Sequence, residues 1–246
     1  MTHPQYFSDL RRLAYDQTSG NGPGIVFLGG FNSDKNGTKA LFLEDWARRH
    51  GRAFLRFDYS GHGQSRGAVT DFTLGDWIDD AAAIITGLTH GPQVLVGSSM
   101  GGWIALVLAQ RMPEKIAGMV TVAAAPDFTE RHYMAKFSQD DRDQLEQTGQ
   151  IAVATKYSES PYIITKRLIE EARAHLLLTG PIALPFPVRF LMGTADEAVS
   201  VETALQLLDC ADGPDIRLTL VKDADHRFSD SQCLALIQNA VVSVTA

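Results

Sequence analysis

Apolar residues in this chain follow two alternating rhythms. Short apolar runs, several of them β-branched, fall at residues 24–28, 53–57, 93–96, 118–123, 188–192 and 216–221. Such runs, bounded by glycine, predict strands buried inside a sheet. Between them, residues 38–50, 74–88, 101–111, 201–208 and 231–244 carry apolar positions at helical spacing. Alternating strands and helices of this kind predict crossover units feeding a largely parallel sheet. A short strand around residues 13–15 is expected to add an antiparallel edge.

One stretch breaks the alternation. Residues 127–187 hold two helix-like pieces, 138–147 and 163–178, before Pro181-Ile182-Ala183-Leu184-Pro185-Phe186-Pro187. A connection of that length without a central strand is better explained as an inserted lid than as a loop. The expected organisation is one α/β domain, residues 1–126 and 188–246, with a small helical lid at 127–187 after the strand near 118–124. At 246 residues the chain is long enough to bury a substantial core.

Composition narrows the possible partners. Hydrophobic residues at 45% and charged residues at 21% describe an ordinary globular chain. A net charge of -7 disfavours a phosphate-neutralising surface, so nucleic acid is not an expected partner. No apolar run is long enough for a transmembrane segment, and residues 1–13 contain Arg11 and Arg12 without an apolar signal core. The expected location is therefore cytoplasmic. Cys210 and Cys233 match no metal or redox spacing and are expected as reduced thiols. Asn36-Gly37-Thr38 matches a glycosylation sequon, but in a cytoplasmic protein it reads as a turn and helix start.

The chemistry-bearing segment is Gly97-Ser98-Ser99-Met100-Gly101, directly behind Val94-Leu95-Val96 and before a helical stretch. A strand, tight turn and helix there would push Ser99 outward as a nucleophile. The five residues alone are weak evidence, because a serine hydroxyl needs a base and the base an orienting acid. Asp196 follows the strand at 188–192 through Gly193-Thr194-Ala195, and His226 follows the strand at 216–221 through Lys222-Asp223-Ala224-Asp225. Both lie at the carboxyl ends of strands, where open parallel sheets collect ligands. Asp127, after Pro126, is the competing acid, with a lid hinge or helix cap as its structural alternative. Among the other histidines, His50 and His90 fall at helix ends, His132 and His175 in the lid, and His3 at the terminus.

A developing oxyanion needs donors. One is expected from the backbone N–H of Met100 at a helix start, where the dipole favours negative charge. The other is expected from the turn Leu28-Gly29-Gly30-Phe31, as the N–H of Phe31. Asp58-Tyr59-Ser60-Gly61-His62-Gly63-Gln64-Ser65 has the glycines of a phosphate cradle but not the lysine of a P-loop.

Together these segments resemble the α/β-hydrolase family along essentially the whole chain, with five motifs in order at the expected strand ends. The resemblance implies an α/β-hydrolase fold and makes the Asp58–Ser65 stretch a structural turn beside the site. Asn36-Gly37-Thr38-Lys39-Ala40, Arg56-Phe57-Asp58-Tyr59-Ser60-Gly61 and Gly97-Ser98-Ser99-Met100-Gly101-Gly102-Trp103 are similar to a narrower subfamily. It contains the mitochondrial palmitoyl-protein thioesterase that also cleaves mycophenolic acid acyl-glucuronide. This chain is expected to depart from it in its lid and in having no mitochondrial presequence.

The kinship implies a serine esterase or thioesterase acting on acyl groups through Ser99, His226 and Asp196, with no metal or organic cofactor. The expected partner is a small-molecule or acyl-group ester or thioester. Phe128, Tyr133, Met134, Phe137, Tyr157 and Tyr162 are candidates both for an acyl pocket and for packing the lid. An amide or peptide hydrolase and a perhydrolase would use the same three residues. A haloalkane dehalogenase is disfavoured, because its elbow carries Asp where this chain has Ser99. A non-catalytic binding module is the reading from outside enzymology.

Overall fold

The computed structural model describes residues 5, 6 and 12–245; His3 lies outside them. From the N-terminus, β1 (Gln5–Tyr6), β2 (Ala14–Thr18), β3 (Asn21–Leu28), β4 (Arg52–Phe57), β5 (Gln93–Ser98) and β6 (Ile116–Val122) enter the main sheet. Next come the hairpin strands β7 (Gln150–Val153) and β8 (Tyr162–Thr165), then β9 (Ile182–Ala183), β10 (Val188–Gly193), β11 (Ala211–Asp212) and β12 (Ile216–Val221). Among the described residues the main sheet has eight strands, in the order β1-β2-β4-β3-β5-β6-β10-β12. β1, β2 and β4 pair antiparallel, and from β4 to β12 every neighbour is parallel. The α/β class read from the alternation is the class observed.

Helices α1 (Thr38–Arg49), α2 (Leu74–Leu88) and α3 (Met100–Arg111) connect the first parallel strands. Further along, α4 (Gln139–Thr148) and α5 (Lys166–Ala172) lie between β6 and β10, and α6 (Val201–Cys210) and α7 (Ser231–Ser243) complete the chain. Side chains alternate across a strand, so β3 serves two cores. Ile25 and Phe27 pack with Leu43 and Trp46 of α1 and Ile237 and Val241 of α7. Val26 and Leu28 pack on the opposite face with Trp77 of α2 and Trp103 of α3. α3 is buried continuously from Met100 to Ala109, which explains why its sequence is apolar all round.

The segment between β6 and β10 differs from its expected form. A helix over 163–178 was the reading of its apolar spacing. Instead Tyr162–Thr165 pairs with Gln150–Val153, and only Lys166–Ala172 is α-helical, followed by a short 3₁₀ turn at Arg173–His175. Ile163, Ile164 and Thr165 are β-branched and favour the strand. The Thr165 hydroxyl then accepts the Leu168 N–H at 3.0 Å, so it caps α5 and fixes where the helix begins. Residues Thr129–Met134 form a π-helical turn, which no periodicity announced. Tyr133, Leu145, Ile151, Ile164 and Ile169 give the segment a small core of its own, against which Phe31 and Phe128 pack.

Beneath the site, a buried ionic group ties the loop after β3 to the sheet. Arg56 Nε donates to Glu44 Oε2 at 2.9 Å, and Arg56 Nη1 lies 3.0 Å from Asp16 Oδ2. Lys35 Nζ reaches the same Asp16 oxygen at 2.7 Å, and Arg56 Nη1 also donates to Asn36 Oδ1 at 2.7 Å. Removing one partner leaves a buried charge uncompensated, whereas replacing a pair by apolar groups is tolerated better. Arg56→Met is therefore expected to cost about 3 kcal/mol of unfolding free energy. Arg56→Met combined with Glu44→Leu should be more stable than Arg56→Met alone, a comparison that urea denaturation of the variants reads directly.

Candidate active site

Ser99 sits between β5 and α3 with φ 54° and ψ -117°, a conformation costly for any residue with a side chain. Several backbone bonds hold it there. Its N–H donates to Val122 O at 2.9 Å, and its carbonyl accepts from Gly102 N–H at 2.9 Å and Ala125 N–H at 3.1 Å. The flanking glycines answer to close approach. A Cβ on Gly97 would overlap the Gly101 carbonyl, and one on Gly101 would overlap the Leu28 carbonyl. The G-x-S-x-G spacing is thus the steric condition for packing α3 against β3 and β5.

The structure brings the three sequence-predicted side chains together. His226 Nε2 lies 3.1 Å from Ser99 Oγ, and His226 Nδ1 lies 2.7 Å from Asp196 Oδ2. The Asp196 side chain is fully buried and that of His226 is 14% exposed. The other Asp196 oxygen accepts the N–H groups of Ala198 at 2.8 Å and Val199 at 2.9 Å, which fixes the carboxylate's orientation. Because the carboxylate accepts, Nδ1 carries the imidazole proton and the Nε2 lone pair faces Ser99. The loops bearing acid and histidine are joined by Thr194 N–H to Val221 O and Ala195 N–H to Ala224 O, at 2.9 and 3.0 Å. Gly193 is needed at that junction, since a Cβ there would strike the Ala224 carbonyl.

Asp127 is placed elsewhere. Its carboxylate accepts the N–H groups of Leu177 and Leu178, each at 2.9 Å, while its own φ is 59°. It ties the residues that follow β6 to the backbone at Leu177 and Leu178. Burial raises its pKa and those two bonds oppose the rise.

Met100 begins α3, so its N–H points out of the helix start beside Ser99. Across from it, residues Gly30–Ser33 form a turn closed by Ser33 N–H to Gly30 O at 3.2 Å. A Cβ on Gly30 would sit 3.4 Å from Ser99 Cβ, so this turn lies against the serine. Asn32 N–H donates to His62 Nε2 at 3.1 Å, an anchor that the sequence reading of the Asp58–Ser65 turn missed. His62 is 2% exposed, and burial lowers its pKa to about 4.

A cavity of about 550 Å³ opens over Ser99. Its lining combines the apolar or aromatic residues Phe31, Met100, Phe128, Tyr133, Val153 and Tyr162 with the polar residues Asn32, Asp34, Lys39, Arg227 and Ser229. Of the six proposed pocket residues, Phe128, Tyr133, Tyr157 and Tyr162 line the cavity, whereas Met134 and Phe137 pack into the segment's own core. The Tyr157 ring lies 5.4 Å from the His226 ring, and the Arg227 guanidinium carbon lies over the same Tyr157 ring, 5.9 Å from its centroid. Lys39, His132 and Arg227 also face the cavity and were missed as site residues. Lys39 lies inside the stretch Asn36–Ala40 and Arg227 directly follows His226, which is the signal that points to them. Lys39 Nζ donates to the Arg227 carbonyl at 2.6 Å, and burial brings its pKa down to about 8. Among the described residues, no group of three His, Cys, Asp or Glu is arranged to hold a metal.

The model of the alpha/beta hydrolase fold family matches residues 23–165. This chain belongs to that family. It is 40% identical over 233 residues to human mitochondrial palmitoyl-protein thioesterase ABHD10, covering 93% of this chain and 75% of that protein. The solved structure of mouse alpha/beta hydrolase domain-containing protein 10 superposes with a TM-score of 0.91 at 36% identity, covering 98% of each chain. A putative hydrolase from Agrobacterium vitis S4 gives a TM-score of 0.93 at 37% identity, covering 99% of this chain and 97% of that one. These relatives correct one expectation. The cytoplasmic location inferred from residues 1–13 is overturned, because the ABHD10 proteins that match most of this chain are mitochondrial. Among the described residues, no helix is long and apolar enough to cross a membrane.

Two outcomes follow from this geometry. Asp127→Ala removes two bonds to a charged acceptor and should cost about 2 kcal/mol in urea denaturation while leaving Ser99 reactive toward a fluorophosphonate. His62 has a folded pKa of about 4 against an ordinary value of 6.5, so the unfolded chain binds the extra proton between those values. Its contribution is present above pH 6.5 and is lost as pH falls toward 4, a decline of about 3 kcal/mol. His62→Gln should flatten that part of the stability profile.

Proposed function

We propose that this protein is a serine hydrolase that cleaves carboxylic esters and thioesters through an acyl-enzyme. The observation that carries the reading is the unbroken relay from Asp196 through His226 to Ser99, with bonds of 2.7 and 3.1 Å. His226 Nε2 takes the Ser99 proton as the oxygen attacks the acyl carbonyl, and Asp196 stabilises the imidazolium that results. The N–H groups of Phe31 and Met100 receive the oxyanion. His226 then returns its proton to the leaving oxygen or sulfur, and in the second half-reaction activates water against the acyl-enzyme. Phe128, Tyr133 and Tyr162 offer apolar surface for the acyl group, and residues 127–187 serve as the lid. The thioester arm is supported by the relatives, which are named palmitoyl-protein thioesterases.

The test pairs covalent labelling with a substrate panel. Wild type should be labelled by a fluorophosphonate and turn over p-nitrophenyl acyl esters and acyl thioesters. Ser99→Ala should lose the label and at least about a thousandfold in kcat/KM, and Asp196→Asn should lose a comparable factor. An unlabelled wild type, or turnover of aminoacyl amides alone, would sink the ester and thioester reading.

A further inference from the structure

The Asp58–Ser65 turn contributes no group to the proposed chemistry, yet it grips the loop after β3 at two points. Asp58 Oδ1 accepts Lys35 N–H, with an N···O distance of 2.6 Å, and Asp58 Oδ2 accepts Gln64 N–H at 2.9 Å. At the other point, Asn32 N–H donates to His62 Nε2 at 3.1 Å. An amide N–H can only donate, so His62 Nε2 carries no proton and the ring's proton is on Nδ1. That proton is directed at the Ser60 carbonyl, 3.2 Å away. Both ring nitrogens are thereby assigned by their partners. The ring is wedged edge-on between Phe31, Tyr59 and Trp77, with centroids 6.3, 5.7 and 5.1 Å away. Gly63 makes the turn possible at φ 48°, where a Cβ would run into the Asp58 carboxylate.

We infer that His62 is a positioning residue: by holding the Asn32 N–H it sets the tilt of the preceding peptide and aims the Phe31 N–H at the substrate oxygen. The inference rests on the proposed hydrolase mechanism, in which Phe31 is an oxyanion donor. Without the His62 acceptor, the 31–32 turn keeps the closing bond from Ser33 to Gly30. Small displacements of a donor matter, because an oxyanion hole works through preorganisation. A protonated His62 would place a donor against the Asn32 N–H, and burial of the ring prevents that at neutral pH. The neutral ring therefore acts as a fixed acceptor, with no proton transfer of its own.

Two substitutions separate this role from packing. His62→Asn retains a donor near the Nδ1 position for the Ser60 carbonyl and places no acceptor at the Nε2 position. His62→Gln places its amide oxygen there. Thermal melts, fluorophosphonate labelling rates, and kcat and KM for p-nitrophenyl acetate are measured for both variants and wild type. The expected result is a kcat loss of about ten- to a hundredfold in His62→Asn, with a matching loss of labelling rate and KM within about twofold of wild type. His62→Gln should recover kcat to within about fivefold of wild type. A His62→Asn variant that melts near wild type and keeps its kcat overturns the inference while leaving the hydrolase reading intact. So does a His62→Gln variant that is folded yet as slow as His62→Asn. Should His62→Asn fail to fold, His62→Gln decides alone, by kcat recovered or lost at unchanged KM. If wild type neither labels nor turns over ester, the hydrolase reading itself fails.

Discussion

The arrangement depends on one close approach: the first turn of α3 lies against the ends of β3 and β5 with no room for side chains at Gly97 and Gly101. That contact forces the chain through a strand, a reversal and a helix within a few residues. Ser99 is left at the apex in a left-handed conformation that nothing local favours. The cost is offset by neighbouring strands. Val122 at the end of β6 accepts the Ser99 N–H, and Ala125 donates to the Ser99 carbonyl. Strain at the serine and the parallel order β3-β5-β6 are two sides of one constraint, since only adjacent strands can supply those partners.

From that apex outward, much of the site is positioned by backbone. Asp196 is oriented by two N–H groups, the loops bearing Asp196 and His226 are joined by carbonyls across a glycine contact, and the Gly30–Ser33 turn has its own closing bond. Charged side chains act one layer below. Arg56, Glu44, Asp16 and Lys35 compensate one another and hold the loop after β3, while Asp58 reads the Lys35 amide. An ion group of this kind adds little net stability compared with apolar packing, but removing one member is costly, which makes it a device for fixing geometry.

This division explains what the sequence made legible. Ser99, Asp196 and His226 could be read because each follows a strand with clear apolar signal, and the parallel topology delivers strand ends to one edge. Asp127 and Asp196 looked alike by that criterion. They are separated by the backbone amides each one meets, Leu177 and Leu178 for Asp127, and no spacing rule encodes those. Residues 163–178 read as one helix because Ile163, Ile164, Leu168 and Ile169 satisfy helical spacing, although the first two belong to a hairpin strand. His62 was hidden inside a glycine-rich turn, where its partner, Asn32, is thirty residues away. Location was inferred from the residues at the start of the chain, and relatives of greater length corrected it.

Phe31 joins the two halves of the proposed chemistry. Its N–H belongs to the turn that faces Ser99, while its ring contacts Phe128 and Tyr162 of the inserted segment at centroid distances of 5.9 and 5.5 Å. The same ring lies 5.7 Å from Trp77, which is fully buried and donates its indole N–H to Ser60 O, the carbonyl that His62 also faces. In the proposed mechanism, an acyl group packed on Phe128 and Tyr162 would press on the ring of the residue whose backbone N–H is assigned to the oxyanion. Under that proposal, binding energy from the acyl chain is available to the reacting carbonyl rather than to affinity alone.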